Sequence, residues 1–564
     1  MKKSINILLL LTVAGFSLWC TGDLMRKNDQ AAILAGAYDM AHGRMQNPAA
    51  YYQFDKTYVL YGVCAGVLKV FSGVNAPVAI ANVCLALIFW AALTVFVVRF
   101  RRVLPPLALL CFLTAPAVLL NTLYVNSSVL SSAFLLLSAA FFLQPGPRGG
   151  WLAALFFALA VGSRADVILL LPLLLWLITP FSMLGKFPAG FLKHLKIGAA
   201  GMIALVAGRI LCPAGGATID PIFNLKMVSG YVVFGFGAAG LLFAWYAALL
   251  SVQLAKGRGT LEKLYGTAGL AAFLLPVIFF LPQLHAPRYF WRGCEAVLLL
   301  AVSGRLPLWN SRPVKILLGL AALLSLFVGV SFPALNQPQF TVAQPTLFPS
   351  GDGFYPMGGT MPFLHRLRTA NTHPVDHNQL VWNAVKQADF QFDEQRAIKV
   401  LHTPMFGYFM LAASLCGGVA EGGNFNGLSN CCFYADSRSL MRDDPKTPIH
   451  HLDDILALPA HFVSPAPEGV GVLKFGTGDD RWGRQTRLLN RLFAGSEYRI
   501  STSGAPDFYD RQTVVFSEQP FEKALHDEQT GLYYSGEQIC GGQGCAVSVF
   551  PFWMSFRAFK GNAR

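Results

Sequence analysis

Gly22–Arg44, GDLMRKNDQAAILAGAYDMAHGR, follows directly on the apolar segment Ile5–Cys20, and how the two are read together decides the fold. The apolar run has the length and composition of a membrane anchor, and no Ala-x-Ala cleavage site follows it, so it reads as a span rather than a removed signal. The stretch after it carries three aspartates: Asp23, Asp29 and Asp39. Asp29, Ile33, Ala37 and Met40 recur at helical spacing, as do Ala32, Gly36 and Asp39. Asn28 or Asp29 suits an N-cap. The local sequence thus leaves two roles open for Asp29: a helix cap, or a carboxylate held ready at the head of a short helix.

Composition extends the membrane reading to most of the chain. Of 564 residues, 54% are hydrophobic and 13% charged, against about a quarter charged in a soluble protein. The net charge of +14 comes without a basic stripe interleaved with aromatics, so nucleic acid is not the partner it implies. A helix needs about 20 apolar residues to cross the hydrocarbon core. On that measure eleven spans are expected, near residues 4–20, 76–98, 105–121, 129–144, 150–162, 166–181, 197–212, 228–253, 266–283, 289–303 and 314–332. The run at 58–72 is shorter and reads as an interfacial helix closing the first external loop, 21–57. Lys and Arg fall in alternate loops: Arg99, Arg101 and Arg102; Arg148; Lys186, Lys193 and Lys196; Lys256, Arg258 and Lys263; Arg305, Arg312 and Lys315. By the positive-inside bias this predicts a cytoplasmic N-terminus and an extracytoplasmic tail.

After residue 332 the composition changes. Residues 333–359 form a Pro/Gly/Gln-rich linker, and 360–564 mix short apolar runs with charge. RAIKVLHTP, AHFVSPAP and QTVVFSE read as strands and IHHLDDILALP as a helix, predicting a mixed α/β domain. Cys416, Cys431, Cys432, Cys540 and Cys545 lie in this part, where disulfides are permitted. HPVDH, with His373, Asp376 and His377, is interrupted by Pro374, which counts against a metal site. Neither a Walker-type nor a GxGxxG loop is convincing, which argues against ATP-driven transport and a nucleotide-sugar site.

The order of features over residues 1–332 resembles the GT-C class of membrane glycosyltransferases, which includes protein O-mannosyltransferases and the aminoarabinose transferase of lipid A. The resemblance rests on a first span, NDQAAILAGAYDMAHGR, NPAAYYQFDKTYVLYGVCAGVLKVFSG, and then the second span. It implies a mainly α, polytopic bundle with a C-terminal extracytoplasmic α/β domain. It also implies transfer of a sugar, with inversion, from an isoprenoid-phosphate donor to a lipid, glycan or protein acceptor at the outer face of the bilayer. A carboxylate takes the acceptor's proton, a role the resemblance gives to Asp29. The departing phosphate needs cations. Arg164 in GSRADVILLLP, Arg288 and Arg292 in LHAPRYFWRG, and Lys56 before the interfacial helix are the candidates, with Asp23, Asp39, Asp166, His285 and Tyr289 in support. The other reading of these cations is as membrane anchors. The second external loop, LYVNSSVLSS, lacks the second acid common in the class, which weakens the case for a bound divalent cation, and NSS matches a glycosylation acceptor. Two rivals remain from other classes: a lipid or glycan transporter, which should carry ionisable residues at mid-span depth, and a membrane scaffold displaying the tail.

Overall fold

The computed structural model describes residues 2–25, 28–46, 48, 51, 57–119, 121–143, 149–179, 236–257, 259–280, 290–304, 312–331, 344–347, 398–402, 406–423, 433–435, 516–517, 524–527, 532–535, 547–549 and 552–558. The helices are α1 (Lys2–Cys20), α2 (Asn28–Ala41), α3 (Tyr58–Val70), α4 (Pro77–Arg99), α5 (Pro106–Thr114), α6 (Pro116–Leu119), α7 (Ser127–Leu143), α8 (Gly149–Ser163), α9 (Leu171–Ile178), α10 (Ala238–Lys256), α11 (Thr260–Phe280), α12 (Trp291–Val302) and α13 (Arg312–Phe327). Three of them, α4, α10 and α11, are long and apolar enough to cross a membrane by themselves, and shorter apolar helices pack around them. The chain is an integral membrane protein. The expected spans at 76–98, 129–144 and 150–162 coincide with α4, α7 and α8 to within about two residues. The expected span at 197–212 lies outside the described residues.

Four expectations need correction. The span expected at 105–121 is broken: α5 and α6 meet at a 58° bend. Ala115 precedes Pro116, and the proline ring pushes it out of the helical region, to φ −61° and ψ 123°. The span expected from 166 begins as a 3-10 turn, Ala165–Leu170, before α9 starts with Pro172 in its first turn. The span expected to end at 332 ends at Phe327, where β1 (Val328–Ser331) takes over and pairs antiparallel with β2 (Gln344–Leu347), inside the expected linker. Valines at 328 and 330 favour the extended form. The interfacial helix expected at 58–72 is α3, two residues shorter at its end.

Among the tail's described residues, β3 (Ile398–His402) and β4 (Gly418–Gly423) flank a later strand, Phe552–Ala558, in an antiparallel sheet. Between β3 and β4 lies α14 (Phe406–Leu415), which the sequence reading missed. Ile398–His402 of RAIKVLHTP form a strand, as do Phe516–Ser517, the described part of QTVVFSE; AHFVSPAP and IHHLDDILALP lie outside the described residues. Cys416, expected as a disulfide candidate, is free and exposed.

One buried core runs through the bundle and continues into α14. Helix α12 is its axis, with every residue from Trp291 to Val302 buried. Chain direction and a few polar bonds define two ends. At one, the Asn6 amide donates to the Leu104 carbonyl at 3.1 Å, beside Arg101 and Arg102, and the Arg99 guanidinium lies over the Phe141 ring. Lys256 closes α10 and Lys263 lies in the first turn of α11, where Trp176 Nε1 donates to the Tyr265 carbonyl at 3.2 Å. This is the basic end. At the other, Asn82 at the start of α4 donates to the carbonyls of Gly22 and Leu24 (2.8 and 3.0 Å). It accepts from Gln30 Nε2 and from the Val125 amide, both at 2.9 Å. Gly22, Leu24 and Gln30 therefore lie at the end opposite the basic one.

Candidate functional site

Two polar clusters occupy that opposite end. The first lies among α7, α8 and α12. Asn126 caps α7, its side-chain oxygen accepting from the amides of Ser128 and Val129 (2.9 and 3.1 Å) while its amide group donates to the carbonyls of Asn121 and Tyr124. That cap turns Ser127, Ser128, Ser131 and Ser132 inward as a hydroxyl ladder at i, i+4 spacing. Arg164, at the end of α8, meets the ladder: its Nη1 donates to Ser128 Oγ at 3.1 Å and its Nε to Asp166 Oδ2 at 2.6 Å. The other carboxylate oxygen, Oδ1, accepts from Arg292 Nε at 3.0 Å. Arg292 Nη1 donates to both Glu295 oxygens, at 3.0 and 2.7 Å, and its Nη2 to Ser131. Ser132 donates to Glu295 and accepts from the Trp291 indole at 2.8 Å.

The cluster contains two arginines and two carboxylates, so its charges balance, as low-dielectric surroundings demand. Exposure grades across it. The Arg164 side chain is 19% exposed, Asp166 11%, Arg292 2% and Glu295 0%. Arg164 is the cation nearest the surface, and its planar fork is held on two sides, which suits it to an anion such as phosphate.

The second cluster joins the first loop to the tail. Gly36 brings α2 against two rings: a Cβ there would lie 2.6 Å from Tyr61 and 2.8 Å from Tyr51. With that space open, the Tyr51 hydroxyl reaches Asp39 Oδ2 at 2.6 Å, and Ser414 of α14 donates to the same oxygen at 2.9 Å. Arg44 Nη2 lies 3.0 Å from Asp39 Oδ1 and donates to the Ser414 carbonyl at 2.9 Å. Burial pushes the Asp39 carboxyl above its usual range; the Tyr51 hydrogen bond, the Arg44 charge and the Ser414 hydrogen bond pull it down only in part. Burial, with Asp39 close by, also raises the Tyr51 phenol, so it stays a donor.

Of the residues named from sequence, Arg164, Asp166 and Arg292 are brought together. Asp39 is buried in the second cluster, apart from them. Asp23 is exposed in the bend before α2. Asp29 is half-buried in the first turn of α2, one residue from Gln30, whose bond to Asn82 leads through Val125 to the arginine cluster. Lys56, His285, Arg288 and Tyr289 lie outside the described residues. Glu295 was missed, although Arg292 and Glu295 three apart in an apolar helix are a recognisable pair. So were Ser128, Ser131 and Ser132, whose spacing is visible in NSSVLSS, and Arg44, Tyr51 and Ser414, for which no sequence signal exists. Among the described residues no group of three or more His, Cys, Asp or Glu side chains is placed to hold a metal ion.

No protein-family model matches the chain, and no curated protein matches it. A solved structure to which it is similar is the crystal structure of ArnT from Cupriavidus metallidurans bound to undecaprenyl phosphate, at 16% identity and a TM-score of 0.39. The match covers 57% of this chain and 63% of that one, less than two thirds of its length.

Proposed function

We propose that this protein is an integral membrane glycosyltransferase of GT-C type, which transfers a sugar from a polyprenyl-phosphate donor to an envelope acceptor at the extracytoplasmic face. The observation that carries the reading is a juxtaposition. Asp29, at the head of α2, and Arg164, at the end of α8, lie at the same end of the bundle, joined by the relay Gln30–Asn82–Val125 and the α7 cap. That end is opposite the basic one, as the positive-inside bias requires of an outward-facing site.

In this reading Asp29 is the general base. Its carboxylate takes the acceptor's proton as the anomeric bond breaks. Arg164 stabilises the charge that builds on the leaving phosphate, with Arg288 and Lys56 as further cations of the same clamp. Attack opposite the leaving group inverts the anomeric centre. A transporter is the rival that the charged first turns of α12 favour, since Arg292 and Glu295 are ionisable and fully buried. They belong to the end of that helix rather than its middle, which speaks for a site at the mouth.

The test is transfer by the purified full-length chain from a panel of polyprenyl-phosphate sugars. Asp29→Asn keeps the size and helix-start preference of the side chain but removes its basicity. Transfer should fall about 100-fold or more, with expression and donor binding intact, while Asp23→Asn, in an exposed bend, stays near wild type. Undiminished transfer by Asp29→Asn would reduce Asp29 to a helix-start residue. Transport of the lipid across vesicles without any sugar transfer would make the rival correct.

A further inference from the structure

From the arginine cluster we infer that Arg292 and Glu295 touch no substrate and are positioning residues: Glu295 holds Arg292, Arg292 holds Asp166, and Asp166 aims Arg164 at the lipid phosphate. The inference rests on the proposed function for the identity of the anion, and it moves Arg292 from the phosphate ligands, where the sequence put it, to the frame behind them.

The bonds form a single chain. Each nitrogen of the Arg292 guanidinium is engaged: Nε by Asp166, Nη1 by both Glu295 oxygens and Nη2 by Ser131. A guanidinium spent in this way, and only 2% exposed, has no edge to offer a lipid headgroup. Glu295 is fixed in turn by Ser132, which the Trp291 indole holds. The Phe89 ring packs edge-on against Trp291, and a Cβ on Gly293 would come within 2.4 Å of Phe236, so this turn of α12 is wedged in place.

Asp166 is the member that transmits the aim. Its oxygens are divided between two guanidinium groups, Oδ1 to Arg292 and Oδ2 to Arg164. The plane of the carboxylate, and with it the direction of the Arg164 fork, depends on both being present. The division holds because Glu295 supplies Arg292 with its own counter-charge. Without Glu295, Arg292 carries a buried, half-compensated charge, and both Asp166 oxygens are drawn to it. Arg164 then loses the 2.6 Å bond that sets its direction, and its contacts with the serine hydroxyls do not restore it. A clamp displaced by an ångström or so binds and stabilises its phosphate much less well.

Stability and aim can be separated. Glu295→Leu alone strands a buried arginine and is expected to misfold. The double variant Arg292→Met/Glu295→Leu removes both charges and fills the space with apolar atoms, a replacement that buried ion pairs tolerate. Binding of a polyprenyl monophosphate to the full-length protein in detergent, read beside the thermal midpoint, is the measurement. A double variant with the wild-type midpoint should bind about tenfold more weakly. If midpoint and affinity are both those of the wild type, the pair is structural only and the inference is overturned. Glu295→Gln, which keeps shape, provides the answer if the double variant does not fold: weaker binding supports the inference, and unchanged binding overturns it. Wild type and Arg164→Ala binding the lipid equally would instead remove Arg164 from the clamp, overturning the proposed role of Arg164 as well.

Discussion

Asp166, half-buried, and Asp39, fully buried, are both carboxylates beside an arginine at the same end of the molecule, yet they are held differently. Asp166 has a guanidinium on each oxygen, and a second carboxylate, Glu295, completes the balance. All four charges belong to the bundle. Asp39 has one guanidinium on Oδ1 and two hydroxyls on Oδ2, and one of those, Ser414, comes from the tail. Matched charge gives a stiff frame that can orient a side chain. Half-matched charge, completed by neutral donors from a separate element, gives a contact that one missing hydroxyl can loosen.

The comparison is broken most forcefully by removing Arg292. Arg292→Ala leaves Glu295 and half of Asp166 uncompensated inside the bundle, which costs about 3–5 kcal/mol. The thermal midpoint in detergent should fall sharply, and by more than for Asp39→Asn. Equal losses would mean that the two clusters do not differ in the way described.

A smaller effect is expected from Tyr51→Phe. It deletes one hydrogen bond to a buried carboxylate, worth about 1.5–3 kcal/mol, and the loss should be local. Hydrogen exchange in α14 should quicken while exchange in α12 stays as in the wild type. If exchange quickens in both, the Asp39 cluster supports the bundle rather than the docking of the tail.

The smallest effect is a pH dependence. Burial raises the docked Asp39 carboxyl above 3.8, the value it returns to when exposed. The docked state therefore binds the proton more tightly. Docking of α14 is strongest below about 3.8, weakens as pH rises through the docked value, and levels off above it. Exchange in α14 measured across that range should show this trend, and Asp39→Asn should flatten it. A trend of the opposite sign would mean that the Arg44 charge outweighs burial.

Legibility followed sequence separation. Spans such as α4, α7 and α8 were readable because twenty apolar residues in one run leave few alternatives in a bilayer. Arg164 and Asp166 were readable as a pair because they are two residues apart. Their meeting with Arg292 was suspected only by function, since 126 residues separate it from Asp166. The break at Ala115 was written in its proline neighbour and was overlooked in favour of mean hydropathy. Helix α14, apolar but short, carried no sign that its Ser414 would complete a carboxylate site 375 residues away.

By itself the sequence determined which segments must be helices among lipids, and that cations gather at one end of them, because desolvation penalises each residue separately whatever its partners. The tertiary structure alone decided which distant groups meet, Arg292 with Asp166 and Ser414 with Asp39. That choice depends on how each helix is rotated and how closely it approaches its neighbour. At Gly36 a missing side chain lets Tyr51 reach Asp39, and at Gly293 another lets Phe236 wedge the turn that carries Arg292 and Glu295. Close packing admits only a few such rotations, and no local pattern of residues states which one is taken.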